Sequence, residues 1–257
     1  MRIVVLVKEV PDTYGDRKLD LETGLADREA SDKVLDEVGE RALEFAVSYA
    51  ESAPDTEVIA LTAGPETAAA SVRKALAIGA ARAVHVADPA LAGADLTLTS
   101  EALARALQTL SPDLVVTGNV STDGAGGVMP ALLAERLGMP ALTALDRVEL
   151  ADGEVRGERA ADGGRVKVQA SLPAIVSITE QLPDPRFASL KGIMAAKKKP
   201  YETLTLEGLG VDADALTPRS IMLAVSERPP RGAGVKVVDD GTAAEQLADF
   251  LAQKGLV

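Results

Sequence analysis

The chain has 257 residues, 47% of them apolar and 26% charged, with 39 acidic against 27 basic side chains and a net charge of −12. That length and apolar content suffice for a full core in one large or two modest domains. Acidity, only three tyrosines and three phenylalanines, and no tryptophan argue against a general nucleic-acid binder; the absence of cysteine leaves neither a disulfide framework nor a thiolate metal site and fits a reducing cytoplasm.

Met1 to Val10, "MRIVVLVKEV", is a β-branched run of the kind buried on both faces of a parallel sheet. It reads as a strand, not as a secretory signal. No apolar run reaches the roughly 18 to 20 residues of a membrane-spanning helix. A polar, turn-rich excursion follows, and then Glu37 to Ala53 sets Val38, Ala42, Phe45 and Tyr49 at helical spacing. "TEVIALTAGP" repeats the strand pattern and closes on Gly64 and Pro65. The alanine-rich stretch from Glu66 to Ile78 predicts a helix ended by Gly79, before a third strand, "ARAVHVAD". His85 lies inside that apolar run and reads as structural, with no second histidine to share a metal. Helix "DLTLTSEALARALQTL" and strand "PDLVVTG" come next.

This alternation predicts an α/β fold: a mostly parallel, right-handed sheet with helices on both faces. Ligands on such sheets sit beyond the carboxyl ends of the strands, here Leu6 to Val10, Leu61 to Pro65, and Thr117 onward. After Pro140 the pattern alternates and carries Asp152-Gly153 and Asp162-Gly163-Gly164, which predicts an antiparallel or mixed extension of the sheet. Beyond Pro200 the chain is irregular, with "RPPRGAGVKVVDD" expected as an extended arm and "GTAAEQLADFLAQKGLV" as a terminal helix.

Residues 118–136, "GNVSTDGAGGVMPALLAER", run from a strand through three glycines in four residues into a helix. Small residues let backbone N–H groups approach a phosphate, and a helix start adds unpaired donors. The spacing equally suits a helix capped by Thr122 or Asp123 with glycines in a tight turn. No lysine or arginine stands between Gly118 and Arg136, which argues against a triphosphate site. No carboxylate pair marks an acid/base couple at a strand end. "FASLKGIMAAKKKP", residues 187–200, sets Leu190, Ile193 and Met194 among four lysines. Composition alone allows a solvated helix end.

With "VLVKEVPD", "AGPETAAASVRKALAIGAARAVHV", "STDGAGGVMPALLAERLGMP", "ERAADGG", "LPAIVSITEQLPDPRFASLKGIMAAKKKP", "LGVD" and "PPRGAGVKV", the chain resembles the electron transfer flavoprotein beta subunit over nearly its whole length. The resemblance implies a non-enzymatic electron carrier with a Rossmann-like, adenine-nucleotide-binding fold. It implies a heterodimer with an alpha subunit that holds most of the FAD contacts, and one AMP buried in the beta subunit. Carried over, the AMP contacts are Leu6; Asp36, Glu37, Val38 and Gly39; Ala63; and Gly118, Asn119, Val120, Ser121, Thr122, Asp123, Gly124, Ala125, Gly126, Gly127, Val128 and Met129. The phosphate is expected at the N–H groups of residues 123–128.

The same resemblance makes residues 184–200 a recognition loop for flavin-dependent acyl-CoA-type dehydrogenases. Leu190 would be its anchor with Ile193 and Met194 beside it, while Lys191, Lys197, Lys198 and Lys199 steer acidic partners. Electrons would pass on to a membrane quinone oxidoreductase, the chain itself staying out of the membrane. Residues 1–228 would form the AMP-binding domain and 229–257 an arm and helix on the alpha subunit. Two positions depart from the family: Ala160 stands where members often have an acid that helps hold the FAD domain, and Tyr14 is shifted by one from a tyrosine that approaches the flavin. A stand-alone stress-type nucleotide sensor, or a bifurcating-type subunit with FAD in place of AMP, are the alternatives.

Overall fold

The β-branched run at the amino terminus becomes the centre of the sheet. In the computed structural model, which describes residues 1–15, 17–151, 153–216, 218 and 221–257, β1 (Arg2–Leu6) lies parallel to a strand on either side. Two short strands, β2 (Glu9–Pro11) and β3 (Lys33–Leu35), pair antiparallel and close the excursion that follows it. Next come α1 (Glu37–Ser52), β4 (Glu57–Ala63), α2 (Ala69–Ile78), β5 (Arg82–Val86), α3 (Leu96–Leu110), β6 (Leu114–Gly118) and α4 (Met129–Leu137). The helix expected from Glu66 starts instead as a 3-10 turn over Glu66–Ala68, with Pro65 before it in an extended conformation. Then follow β7 (Ala141–Leu145), β8 (Arg147–Ala151), β9 (Glu154–Ala161), β10 (Gly164–Ser171), β11 (Ala174–Ile178), α5 (Leu190–Ala196) and β12 (Tyr201–Leu204).

Seven strands form one sheet in the order β12-β5-β4-β1-β6-β11-β7, and every pairing in it is parallel. Side chains alternate across a strand, so β1 sends Ile3 and Val5 to one face and Val4 to the other. The first face is covered by α1 and α2 through Ala42, Leu43, Ala46, Val72 and Leu76; the second by α3 and α4 through Ala102, Leu103, Leu107 and Leu133. Burial on both faces is what a continuous apolar run in a parallel strand requires.

The antiparallel segment does not extend this sheet. Strands β8, β9 and β10 make a separate three-stranded sheet, while β7 and β11, on either side of them in sequence, belong to the parallel one. Gly157 sets the contact: a Cβ there would lie 2.7 Å from Leu145 Cδ1 and 2.8 Å from the Arg147 carbonyl oxygen, so β9 reaches β7 only with a glycine. The hairpin turns use Gly153 and Gly163 at φ +77° and +79°, where L side chains are strained. Asp152, the other residue expected in the first turn, lies outside the described residues.

Two compact units divide the chain, Met1–Leu223 and Ala224–Val257. Within the second, residues 224–239 carry no regular structure and precede α6 (Ala243–Gln253), which buries none of its residues and leaves Leu247 and Phe250 exposed. Among the described residues no helix is long and apolar enough to cross a membrane.

Candidate functional site

Strands β4, β1 and β6 are neighbours, so their carboxyl ends, at Ala63, Leu6 and Gly118, stand side by side. The first turn of α1 presses onto two of these ends. A Cβ on Gly39 would come within 3.7 Å of Val7 Cα, and one on Gly118 within 3.1 Å of Val38 Cγ1. Asp36 caps α1: its Oδ1 accepts from the Val38 N–H at 3.1 Å. Its Oδ2 accepts from both the N–H and the hydroxyl of Thr122, at 2.8 and 3.1 Å. With 3% of its surface exposed, Asp36 staples the loop after β6 to the start of α1. Leu6, residues 36–39 and the loop are thus brought together from segments far apart in sequence.

Within the loop, Asp123 is turned inward. Its carboxylate takes Lys8 Nζ at 2.6 Å, Arg28 Nη2 at 3.1 Å and the Gly124 N–H at 2.6 Å. Burial alone would raise its pKa, but the bond to Lys8, the Lys8 charge, Ser121 and the Gly124 N–H outweigh it and hold the carboxyl well below the usual carboxylate range. Asp123 stays ionised and fully engaged. Neither Thr122 nor Asp123 caps a helix, since α4 starts from Val128 with no side-chain cap and Pro130 in its first turn.

What remains free is backbone. The N–H groups of Gly126, Gly127 and Val128 meet no protein acceptor among the described residues, and residues 124–128 are exposed. Ala125 and Gly127 sit at φ +49° and +65°. Left-handed conformation at a residue with a side chain, as at Ala125, is uncommon. A Cβ on Gly126 would find no atom within 4 Å, so the space in front of it is open. Asn119 anchors the loop's first residue by donating its N–H to the Ile178 carbonyl at 2.9 Å and turns its own side chain onto the Val120 N–H. Met129, at the loop's other end, packs against the core beneath α3 and α4. With Asp36 and Asp123 engaged from within, the exposed loop keeps backbone donors that meet no protein acceptor among the described residues, a fit for a phosphate group. Among the described residues no group of three or more histidine, cysteine, aspartate or glutamate side chains is placed to hold a metal.

Sequence reasoning missed Lys8 and Arg28. Lys8 is visible in hindsight, two residues past the end of β1. Arg28 comes from the polar excursion and nothing in its neighbours marks it. His85 is structural as expected: buried, it donates from Nε2 to the Gly64 carbonyl at 3.0 Å and accepts the Tyr201 hydroxyl at Nδ1 at 2.7 Å. Burial lowers its pKa and keeps it neutral. It fastens the edge strand β12 to the turn after β4.

The lysine-rich stretch is mounted firmly. Ser189 caps α5 by accepting the Gly192 N–H at 3.0 Å. Gly192 lies flat on the end of α2, where a Cβ would be 2.3 Å from the Ala77 carbonyl oxygen. Leu190 and Met194 point outward, 80% and 60% exposed, with Ile193 at 45% and Phe187 at 99%. Lys191, Lys197 and Lys198 are solvated. Lys199, grouped with them by sequence, is different: its Nζ donates to the carbonyls of Leu76 and Ala80 at 2.8 and 2.6 Å, closing the end of α2. Burial lowers its pKa.

Just upstream, Arg186 grips α1. It binds Glu44 at 2.8 Å and also Glu51 and Ser48, and Arg41 holds the preceding turn through the Leu182 carbonyl and Asp184. The Arg186 hydrogen bonds, against an opposing burial effect, lower the Glu44 pKa to about 2. Tyr14 is fully exposed, and Ala160 lies exposed on β9.

A parallel sheet with a donor-lined loop at its central strand ends defines a Rossmann-like α/β protein. Residues 23–209 match the family model described as electron transfer flavoprotein domain. The chain is 45% identical to electron transfer flavoprotein subunit beta of Mycobacterium tuberculosis, over 99% of both chains, and 46% identical to that of Mycobacterium leprae over the same shares. It is 32% identical, over 99% of its own length and 97% of the relative's, to the caffeyl-CoA reductase-Etf complex subunit CarD of Acetobacterium woodii. The chain belongs to the electron transfer flavoprotein family, on its beta-subunit side.

Proposed function

We propose that this chain is the beta subunit of a heterodimeric electron carrier, holding AMP at the ends of β4, β1 and β6 while an alpha subunit holds FAD. The supporting observation is the loop after β6, which offers unpaired N–H groups from Gly126 to Val128 with Asp36 and Asp123 already engaged elsewhere. Leu6, Ala63 and residues 36–39 would frame the adenosine, and a buried nucleotide there would tie α1 to the sheet. When bound, the FAD supplies the redox chemistry; this chain supplies a frame for it and a docking face.

Leu190, with Ile193 and Met194, would seat in an apolar pocket of an acyl-CoA-type flavin dehydrogenase, and Lys191, Lys197 and Lys198 would speed the encounter with an acidic rim. A membrane quinone oxidoreductase would take the electrons from the carrier in the cytoplasm. The unit from Ala224 onward, with exposed Val235, Val238, Leu247 and Phe250, would pack on the alpha subunit. Co-production with the alpha partner, followed by mass identification of the released nucleotides, tests this reading. AMP and FAD in equal amounts support it; two FAD and no AMP favour a subunit with flavin in the AMP place; no nucleotide on this chain rejects it.

A further inference from the structure

Two cations that do not belong to the loop after β6 reach into it. Lys8 and Arg28 reach Asp123 from the end of β1 and from the excursion between β2 and β3, at 2.6 and 3.1 Å. The carboxylate between them is 8% exposed, whereas the two cations keep 42% and 37% of their side-chain surface open. The buried carboxylate thus leaves both cationic groups partly open to solvent, where a further anion can meet them. Lys8 Nζ lies 3.9 Å from the place a Cβ on Gly124 would take, at the edge of the unpaired N–H groups. Backbone donors are neutral dipoles and position an oxygen; a phosphate dianion is told from a hydroxyl chiefly by charge. Asp123 also fixes two long, flexible side chains in advance, so little of their rotamer entropy is lost when a ligand arrives.

We infer that Lys8 and Arg28 are the cation pair that makes this site select a phosphorylated nucleoside over the free nucleoside, with Asp123 holding them in place. The inference rests on the reading of the strand ends as the AMP site. It assigns the excursion between β2 and β3 a part in ligand selection, because Arg28 sits on it.

The test uses the full-length chain stripped of nucleotide, titrated by equilibrium dialysis with AMP and separately with adenosine. Lys8→Gln and Arg28→Gln should each weaken AMP binding by about tenfold or more, as expected for loss of a charge-assisted contact, and leave adenosine binding unchanged. Lys8→Arg should restore most of the loss. Wild-type AMP affinity should fall with rising salt more steeply than that of either glutamine variant. Unchanged AMP affinity in both glutamine variants overturns the inference while the site reading stands. Equal loss of AMP and adenosine also overturns it, by showing that the pair only supports the fold. A wild-type chain that binds neither ligand rejects the site reading itself, and the inference with it.

Discussion

The loop after β6 and the stretch around α5 use charge in the same way and leave opposite chemistry exposed. In the loop, Asp36 and Asp123 turn inward onto Thr122, Lys8 and Arg28, and bare backbone N–H groups remain. Around α5, Arg186 turns inward onto Glu44 and Glu51, Lys199 closes the end of α2, and hydrocarbon is left exposed at Phe187, Leu190 and Met194, beside the solvated Lys191, Lys197 and Lys198. Ion pairs fix each segment to the fold, and on the proposed function the unpaired groups would meet an anion in one place and an apolar pocket in the other. A charged residue in sequence is therefore no guide to a charged surface. Lys197 and Lys199 are two residues apart, yet one is solvated and the other ties two helix-end carbonyls.

The largest effect is expected at the mount of α5. Gly192→Val drives a branched side chain into the Ala77 carbonyl and should cost about 3 kcal/mol of stability, at the upper end of overpacking effects, measured by urea unfolding. Partner-driven reduction should fall with it. Leu190→Ala separates the two properties, since Leu190 is 80% exposed: the urea midpoint should not move, while reduction by a partner dehydrogenase should weaken by about 2 kcal/mol, roughly 30-fold. Stopped-flow reduction at the wild-type rate would remove this face from the docking account.

A smaller effect appears with pH. The folded-state pKa of Glu44 is about 2 against 4.5 for the ordinary group. A depressed carboxylate pKa stabilises the fold above 4.5 and loses that contribution as pH falls from about 4.5 toward 2. Allowing for solvent screening, the loss should be about 1 kcal/mol. It should vanish in Glu44→Gln, when melting temperature is followed across that range. Smallest is the contrast among the lysines. Lys197→Gln with Lys198→Gln should slow electron transfer only at low ionic strength, with stability intact. Lys199→Gln should lower stability by about 0.5–1 kcal/mol, as expected for losing a cation at a helix C-terminus, and leave the salt dependence of transfer alone.

The sheet was legible because its strands are buried on both faces: "RIVVL" and "LVVTG" carry no alternation to confuse, and glycine or proline closes the elements. The strand ends were legible for the same reason. The antiparallel strands were legible as hairpins from Gly153 and Gly163, but not their separation into a second sheet, nor the packing of that sheet on β7, which brings Gly157 against Leu145. At the loop, the glycines pointed to close backbone approach. The direction of the carboxylates was hidden, because it is set by Lys8 and Arg28, which lie 115 and 95 residues away from Asp123. Local pattern carries local conformation; it does not carry which distant cation an acid will meet.

Whether backbone donors of the loop after β6 hold a nucleotide phosphate is decided by Gly126→Val. The new side chain meets no protein atom within 4 Å of its Cβ, so circular dichroism of the full-length variant, produced with its alpha partner, should match wild type. Its branched methyls would occupy the open space at Gly126, where the proposed phosphate would approach the loop. Nucleotides released on denaturation and counted by mass should show AMP strongly depleted relative to wild type and FAD retained. Heterodimer stability should fall along with AMP, because a ligand bound only to the folded state stabilises it by mass action. Full AMP occupancy in the variant would contradict the account.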